Sequence, residues 1–501
     1  MKIRPPLLIL GMTLFSTFLS HCLALEFSVH ITPVTHPTFP TNTVNLNDCG
    51  GLGDGRTLNT EAFEKGLKLL EKMGGGKLVV PAGFWMTGPI HLRSNINFHL
   101  ESGALVRFST DPAQYPLVVT ETHGEKWVDS TSPISGKELQ NVAITGSGIL
   151  DGGGDAWRPV KKSKLNEAEW AKLVASGGVL SEDKKTWWPD RSALDGEKAV
   201  SELRSKGSLD PREYEPYHRF LRPRMLRLIA CQNVLIQGVT FRNPPNWTMN
   251  PSLCEDVSII SVHVINSSAA QNSDALDLES CRRALVKECT FDTGDDGICI
   301  KSGKDGEGRR IGMPTEDVLV EDCTVYHAHG GFVIGSEMSG GVRNILVRNC
   351  TFIGTSIGLR FKSKRGRGGI VENIQIEGVR MEDITEAAID FNMYYGGKDP
   401  SEKEGLSEAP KAPQSSKDAP TFRDIRIHDL LCRSAGEAIL IQGLPENPIR
   451  DITLKNVSIT SDKGVTVKNA ANITFEGVRV DCKIGDPLTI EKVSNCSLQL
   501  Q

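Results

Sequence analysis

Along most of the chain, apolar and polar residues alternate in short runs that recur at near-constant spacing. Asp317-Val-Leu-Val-Glu-Asp-Cys-Thr-Val325 matches Asn344-Ile-Leu-Val-Arg-Asn-Cys-Thr-Phe352, 27 residues later. Asn373-Ile-Gln-Ile-Glu-Gly-Val-Arg-Met381 follows after a further 29. Asp424 and Asp451 open two more copies, and others begin at Asn141, Asn233, Asp256, Arg283 and Asn472. Each copy is a polar turn residue, an alternating run, then Gly, Asn or Asp before a second run. Period-two alternation marks a strand with one buried face. Strands this short, with no helices between them, bury that face only by stacking on their neighbours. The pattern predicts an all-β solenoid, a right-handed parallel β-helix.

The second run of each copy fixes a register. Gly297-Ile-Cys-Ile-Lys-Ser302 aligns with Gly331-Phe-Val-Ile-Gly-Ser336, Gly358-Leu-Arg-Phe-Lys-Ser363 and Ala275-Leu-Asp-Leu-Glu-Ser280. Side chains alternate across a strand, so Ile298 and Ile300 point inward while 297, 299 and 301 point out. In this register Asp274 and Asp296 share a column, and His329 aligns with Asp295. Arg360 and Lys362 align with Cys299 and Lys301. With coils roughly 4.8 Å apart, three carboxylates, an imidazole and two cations are predicted to converge on one exposed outer face.

Departures from the repeat divide the chain. Residues 25–43 form a polar, Pro- and Thr-rich lead-in, and a single β-helix domain is expected over 44–501. Ala62, Leu67, Leu70 and Met73 trace a helical stripe over Glu61–Met73, with Asn59 or Thr60 as cap and Gly74 to Gly76 as stop. A helix placed there covers the open apolar end of a solenoid. The repeat is lost between Gly153 and Leu228, an insertion of about 154–225. It holds a short helix near Glu167 and the aromatics Trp187, Trp188, Tyr214 and Tyr217. A second insertion, about 396–420, is rich in Lys, Ser and Pro. Insertions into a solenoid emerge as loops on one face, often the binding face.

Composition narrows the partners. The start Met-Lys-Ile-Arg, the apolar run Leu7 to Leu19 and the small Ala24 read as a secretory signal peptide over residues 1–24, so a secreted or periplasmic protein is expected. No later stretch is long and apolar enough to span a bilayer. The formal net charge of −5 gives no reason to expect nucleic acid, and a polyanionic substrate would need a local basic patch. Cys289, Cys323 and Cys350 fall at one repeat position and read as a column of small buried side chains. They do not read as metal ligands, since no Cys-x-x-Cys pair occurs.

The chemistry sits in four short strings: Asn272-Ser-Asp274, Gly294-Asp295-Asp296, Ala328-His329-Gly330 and Arg360-Phe-Lys362. Paired Asp residues alone are more often turn chemistry or a calcium site. Three carboxylates so close raise at least one pKa, leaving one acid protonated and another ionised. Cleaving a glycosidic bond requires that division. His329 alone would be a packing residue, but beside Asp295 it can trade a proton with it. Arg360 and Lys362, followed by Lys364, Arg365 and Arg367, form a cationic patch suited to substrate carboxylates. Tyr394 and Tyr395 either stack on a sugar ring or cap the coil.

Together these strings resemble the polygalacturonase family of glycoside hydrolases (family 28), whose marks are Asn-Thr-Asp, Asp-Asp, Gly-His-Gly and Arg-Ile-Lys in that order. Ser273, Ala328 and Phe361 depart from those marks without removing a functional group. The resemblance implies inverting hydrolysis of α-1,4-linked galacturonan in pectin, without metal; no cofactor is expected, and a monomer is expected apart from the resemblance. It implies Asp295 as general acid, Asp274 and Asp296 as the pair activating water, and His329 assisting Asp295. Arg360, Lys362, Asn272 and a Tyr at 394 or 395 would bind substrate, with Asp277 orienting Arg360. The long insertion and the Gly335-Ser-Glu337 and Arg365-Gly-Arg-Gly368 runs look like the exo-acting bacterial members. The alternatives are hydrolysis of rhamnogalacturonan or another pectic galacturonide, a calcium-dependent pectate lyase with Arg360 as base, and a β-helix that only binds polysaccharide.

Overall fold

A computed structural model of the protein describes residues 29–122, 125–396 and 418–501. The leader expected over 1–24 lies outside the described residues, as does most of the insertion expected over 396–420. The chain winds as a right-handed parallel β-helix. One coil carries strands Arg282–Lys287, Thr290–Asp292 and Ile298–Lys301, and the next carries Thr315–Glu321, Thr324–Tyr326 and Gly330–Gly335. Each strand pairs in parallel with its counterpart one coil on. The registers follow the repeat: Val318 faces Ile345 and Ile374, and Ile298 faces Phe332 and then Leu359.

The polar residue opening each copy makes the corner. Asn233, Asp256, Asp317, Asn344, Asn373, Asp424, Asp451 and Asn472 all have φ between 52° and 58°, the left-handed region that Asn and Asp tolerate best. Their side chains stack as well, with Asn344 Nδ2 donating to Asp317 Oδ1 at 3.0 Å and Asn373 Nδ2 to Asn344 Oδ1 at 2.8 Å. Arg283 takes the same conformation (φ 56°) and instead grips Asp256 of the preceding coil, Nη2 to Oδ2 at 2.6 Å. Inside, Leu278, Ile300, Ile334 and Phe361 belong to one continuous apolar core. Cys289, Cys323 and Cys350 lie in that core, and every described cysteine is a free thiol.

Helix α1 (Thr60–Lys72) covers the amino-terminal end with Phe63, Leu67 and Leu70 buried. Asn59 occupies its cap position, but its side chain makes no capping hydrogen bond. Its side chain instead accepts from Leu52 N at 2.8 Å and donates to Thr57 O, so tertiary contacts outcompete the expected cap. Residues 29–42 run along the outside of the stack. Val29 N donates to Gln375 Oε1, Thr35 N to Asp256 Oδ1, and Asn42 Nδ2 to Gly75 O.

The first insertion holds α2 (Glu167–Ala175), as expected, and a longer α3 (Arg191–Ser205) that the repeat gave no sign of. Val200, Tyr214 and Leu221 form a separate small core with Leu117 and Val128 of a neighbouring hairpin. The insertion returns to the coils through Arg222-Pro-Arg224. Seven successive rungs then build the face of interest: β1 (Leu226–Ile229), β2 (Met249–Ser252), β3 (Leu276–Glu279), β4 (Ile298–Lys301), β5 (Gly330–Gly335), β6 (Ile357–Lys362) and β7 (Ile384–Asn392).

Candidate active site

The outward positions of these rungs form two columns. One runs Arg227, Asn250, Asp277, Cys299, Val333, Arg360, Asp390; the other passes through Glu279, Lys301, Gly335, Lys362 and Asn392. Asp274 and Asp296 close the turns that lead into β3 and β4, and are coupled by Ala275 N donating to Asp296 O at 2.9 Å. His329 N donates to Asp295 O at 3.0 Å. Asp274, Asp295, Asp296, His329, Arg360 and Lys362 therefore meet at one place, as the register requires.

The face is not open, contrary to expectation. Asp274 is 3%, Asp277 0% and Asp296 1% exposed, and Arg360 and Lys362 are buried too. The expectation took outward to mean solvent-facing. Here the outward side chains pack on each other and under aromatic rings. Trp247 lies 4.6 Å from both Lys301 Nζ and the Arg224 guanidinium. The Tyr395 ring lies 5.7 Å from the Arg360 guanidinium and 5.2 Å from Lys362 Nζ. Asp295 remains accessible, its side chain 26% exposed, beside the half-exposed His329.

Electrostatics divides the carboxyls. Burial pushes Asp274 well above the usual carboxylate range, helped by the nearby Asp277 and Asp295, and its Oδ1 has no hydrogen-bond partner among the described residues. Burial would also raise Asp296, but Lys362, Arg360 and Lys301 overcome it and hold that group well below the usual range. Lys362 Nζ donates to Asp296 Oδ2 at 2.5 Å, and Arg360 Nη1 lies 3.6 Å from Oδ1. Asp274 is thus biased to stay protonated and Asp296 to stay ionised, the division that acid–base cleavage needs.

Asp295 is held by other contacts. Its Oδ2 accepts from Asn272 N at 3.1 Å, its Oδ1 accepts from Asp296 N at 3.0 Å, and His329 Nδ1 lies 3.9 Å from Oδ1. Donor atoms of Asp295, Asp296 and His329 lie within 4.8 Å of one another, close enough for one water to bridge. A hard cation fits poorly there, because Asp296 is already neutralised by Lys362 and Arg360 and calcium takes six to eight oxygens.

One expected partnership does not form. Asp277 does not orient Arg360: the two share a column but stand three rungs apart, and Asp277 instead faces Lys301 Nζ at 3.4 Å. Burial raises Asp277 to about 7 despite that lysine. The rung next to Arg360 carries Asp390, which burial likewise raises to about 7 against the pull of Arg360. Tyr394 belongs to the apolar core with its ring 5.4 Å from the Arg365 guanidinium, whereas Tyr395 stands over Arg360 and Lys362. Glu337 and Arg367, singled out in the sequence, brace the site from below. Lys301 and Arg367 draw Glu337 down to about 2 against the effect of its burial.

Residues absent from the sequence reading also build the site. Asn266 Nδ2 donates to Ser273 O at 2.9 Å and to Thr248 and Thr293, bracing the turn that carries Asp274. Arg222 comes from where the repeat is broken, so no column located it, whereas Arg224 and Trp247 extend the Asp274 column, since Leu226 pairs with Met249 and Met249 with Leu276.

Comparison with known proteins agrees with this geometry. The family described as "Glycosyl hydrolases family 28" matches residues 216–482, more than half of the chain. The solved structure of a hyperthermoactive exopolygalacturonase from Thermotoga maritima is 33% identical. It aligns over 90% of this chain and 94% of its own, with a TM-score of 0.74. A protein named "Probable polygalacturonase" from Vitis vinifera is 27% identical over 428 residues, 83% of this chain and 74% of that one. The "Exo-poly-alpha-D-galacturonosidase" of Dickeya chrysanthemi is 25% identical over 472 residues, 89% of this chain and 73% of that one. With its stacked coils, its carboxyls of opposed protonation and this extent of match, the chain belongs to family 28 of the glycosyl hydrolases.

Proposed function

We propose that the protein hydrolyses α-1,4-galacturonosyl linkages of pectic galacturonan with inversion, working from a chain end as an exported, metal-independent monomer. The observation that carries this reading is the guanidinium of Arg360. It is buried, yet its Nε and Nη1 have no hydrogen-bond partner among the described residues. A buried donor left unmade is costly, and two on one buried guanidinium favour an incoming anionic acceptor such as a substrate carboxylate. A polymer with one carboxylate per sugar supplies such an acceptor, and Tyr395 beside it supplies a ring for the sugar to lie against.

In this reading Asp295, the accessible carboxyl, gives its proton to the leaving glycosidic oxygen, and His329 supports that transfer. Asp274 and Asp296 hold one proton between them and take a second from the attacking water. In the empty site Lys362 and Arg360 keep Asp296 a weak base. A substrate carboxylate arriving between them draws their charge away and strengthens it, so an uncharged sugar would be bound without being cut quickly. The insertion around Arg222 to Arg224 stands at the amino-terminal end of the acidic cluster. A wall there favours release of end units, in line with the exo-acting relatives at 33% and 25% identity.

Digestion of polygalacturonate and of rhamnogalacturonan, with and without EDTA, tests the proposal. The expected result is saturated mono- or digalacturonate released from polygalacturonate, unchanged by the chelator. Unsaturated products that vanish with EDTA would instead establish a lyase. A rapid fall in viscosity would establish internal cutting, and activity confined to rhamnogalacturonan would move the substrate.

A further inference from the structure

Arg222 lies where the first insertion rejoins the coils, far in sequence from the acidic cluster it touches. Its Nη2 donates to Asn272 Oδ1 at 2.8 Å and its Nη1 to Gln271 O at 3.2 Å. Asn272 in turn holds φ at 53° and donates its own N–H to Asp295 Oδ2 at 3.1 Å. A non-glycine residue at positive φ persists where its surroundings fix it, and here the guanidinium grips both the residue and the carbonyl before it. Arg222 is itself fixed by the insertion. Its N–H donates to Phe220 O at 2.9 Å, its carbonyl accepts from Asn246 Nδ2 at 3.2 Å, and Pro223 follows. Phe220 packs beside Trp188 with ring centroids 6.3 Å apart, and its side chain fills the space against Gly196 of α3.

We infer that Arg222 is a positioning residue for Asp295: it fixes the turn whose N–H holds that carboxyl and contributes a cation to its surroundings. The inference rests on the proposed role of Asp295 in hydrolysis. Among the described residues, Asp295 is faced by Asp274 and Asp296 from the adjoining turns, His329 from the next coil, and Arg222 from the insertion. Two are anionic when ionised and His329 is cationic only when protonated, so Arg222 is the standing positive charge of the set. Burial and the neighbouring Arg158 lower its guanidinium to about 10 while Asp295 opposes them; it remains charged at neutral pH. The 154–225 insertion thereby does more than line the groove. Its packing reaches the acid through one side chain.

The test uses Arg222→Gln and Arg222→Lys in the full chain with carboxyl-labelled Asp. The Asp295 signal is assigned by its loss in Asp295→Asn, and thermal melts confirm folding. Arg222→Gln should raise the Asp295 titration midpoint by roughly half to one pH unit, since losing a nearby cation favours the neutral carboxyl. The basic limb of kcat/KM on galacturonan should move up with it, and kcat should fall about tenfold. Arg222→Lys keeps the charge without the forked geometry, so it should hold the midpoint and still lose kcat. An unmoved midpoint in Arg222→Gln overturns the inference, as does a rise in KM alone, which would make Arg222 a substrate-binding cation. If Arg222→Gln does not fold, full kcat in Arg222→Lys overturns it. If the wild type leaves galacturonan uncut, the proposed function fails while the titration still decides the role of Arg222.

Discussion

The two faces of strands β3 to β6 are both buried, and they are buried in opposite ways. Inside, Leu278, Ile300, Ile334 and Phe361 stack in a column where each rung meets nearly the same surroundings. Outside, Asp277, Cys299, Val333 and Arg360 stand at equal spacing, and no two neighbours repeat a chemical type. The inner face is specified by apolar area and volume, so any well-fitting aliphatic residue serves it. The outer face is specified by which charge stands beside which, so Asp274 and Asp296, one rung apart, are driven to opposite protonation states. The same backbone period thus delivers stability on one side and reactivity on the other.

Substitutions on the two faces should separate these roles. The largest effect belongs to Asp295→Asn. It should lower kcat about 10³-fold or more, roughly 4 kcal/mol of barrier, with no shift of the denaturation midpoint; a tenfold loss or less would break the assignment. Next is the inner face. Phe361 stacks on Phe391 with centroids 4.2 Å apart, so Phe361→Ala should cost about 3–5 kcal/mol of stability. Denaturant titration reads this, and the pH profile of whatever remains folded should be unchanged.

Lys362→Met acts on the outer face without removing an acid. Loss of the ammonium raises Asp296, so a higher pH is needed to ionise it and the acidic limb of kcat/KM moves up. The accompanying loss should be on the order of 100-fold, about 2.7 kcal/mol, and a limb left in place would show that Lys362 does not govern Asp296. Tyr395→Ala should be smallest. Losing a stacking ring costs about 1 kcal/mol, seen as a several-fold rise in KM at nearly constant kcat.

The coils and most of the site were legible because one register governs both. Aligning Ile298 with Phe332 and Leu359 places Asp296, His329 and Arg360 together without any knowledge of the rest. What the alignment could not supply was the cover. Arg222 reaches the face from an insertion whose direction no period sets, and Trp247, in register with Asp274 one coil earlier, covers a floor that strand alternation alone leaves open. Contact distance was the second limit. Asp277 and Arg360 share a column, but column membership does not bring residues three rungs apart within reach. Tyr394 and Tyr395 were equivalent in sequence, and only the path of the chain after β7 decides that one enters the core and the other covers the cations.

Inverting hydrolysis requires one carboxyl to protonate the leaving oxygen while another, ionised, takes a proton from water on the opposite side of the ring. Proton NMR of fresh product from a galacturonan oligomer, recorded before mutarotation, tests this most directly. The proposed inverting hydrolysis calls for a saturated sugar that appears first as its β-anomer, inverted from the α-linkage. A first product in the α-form, or one carrying a new double bond, would contradict it.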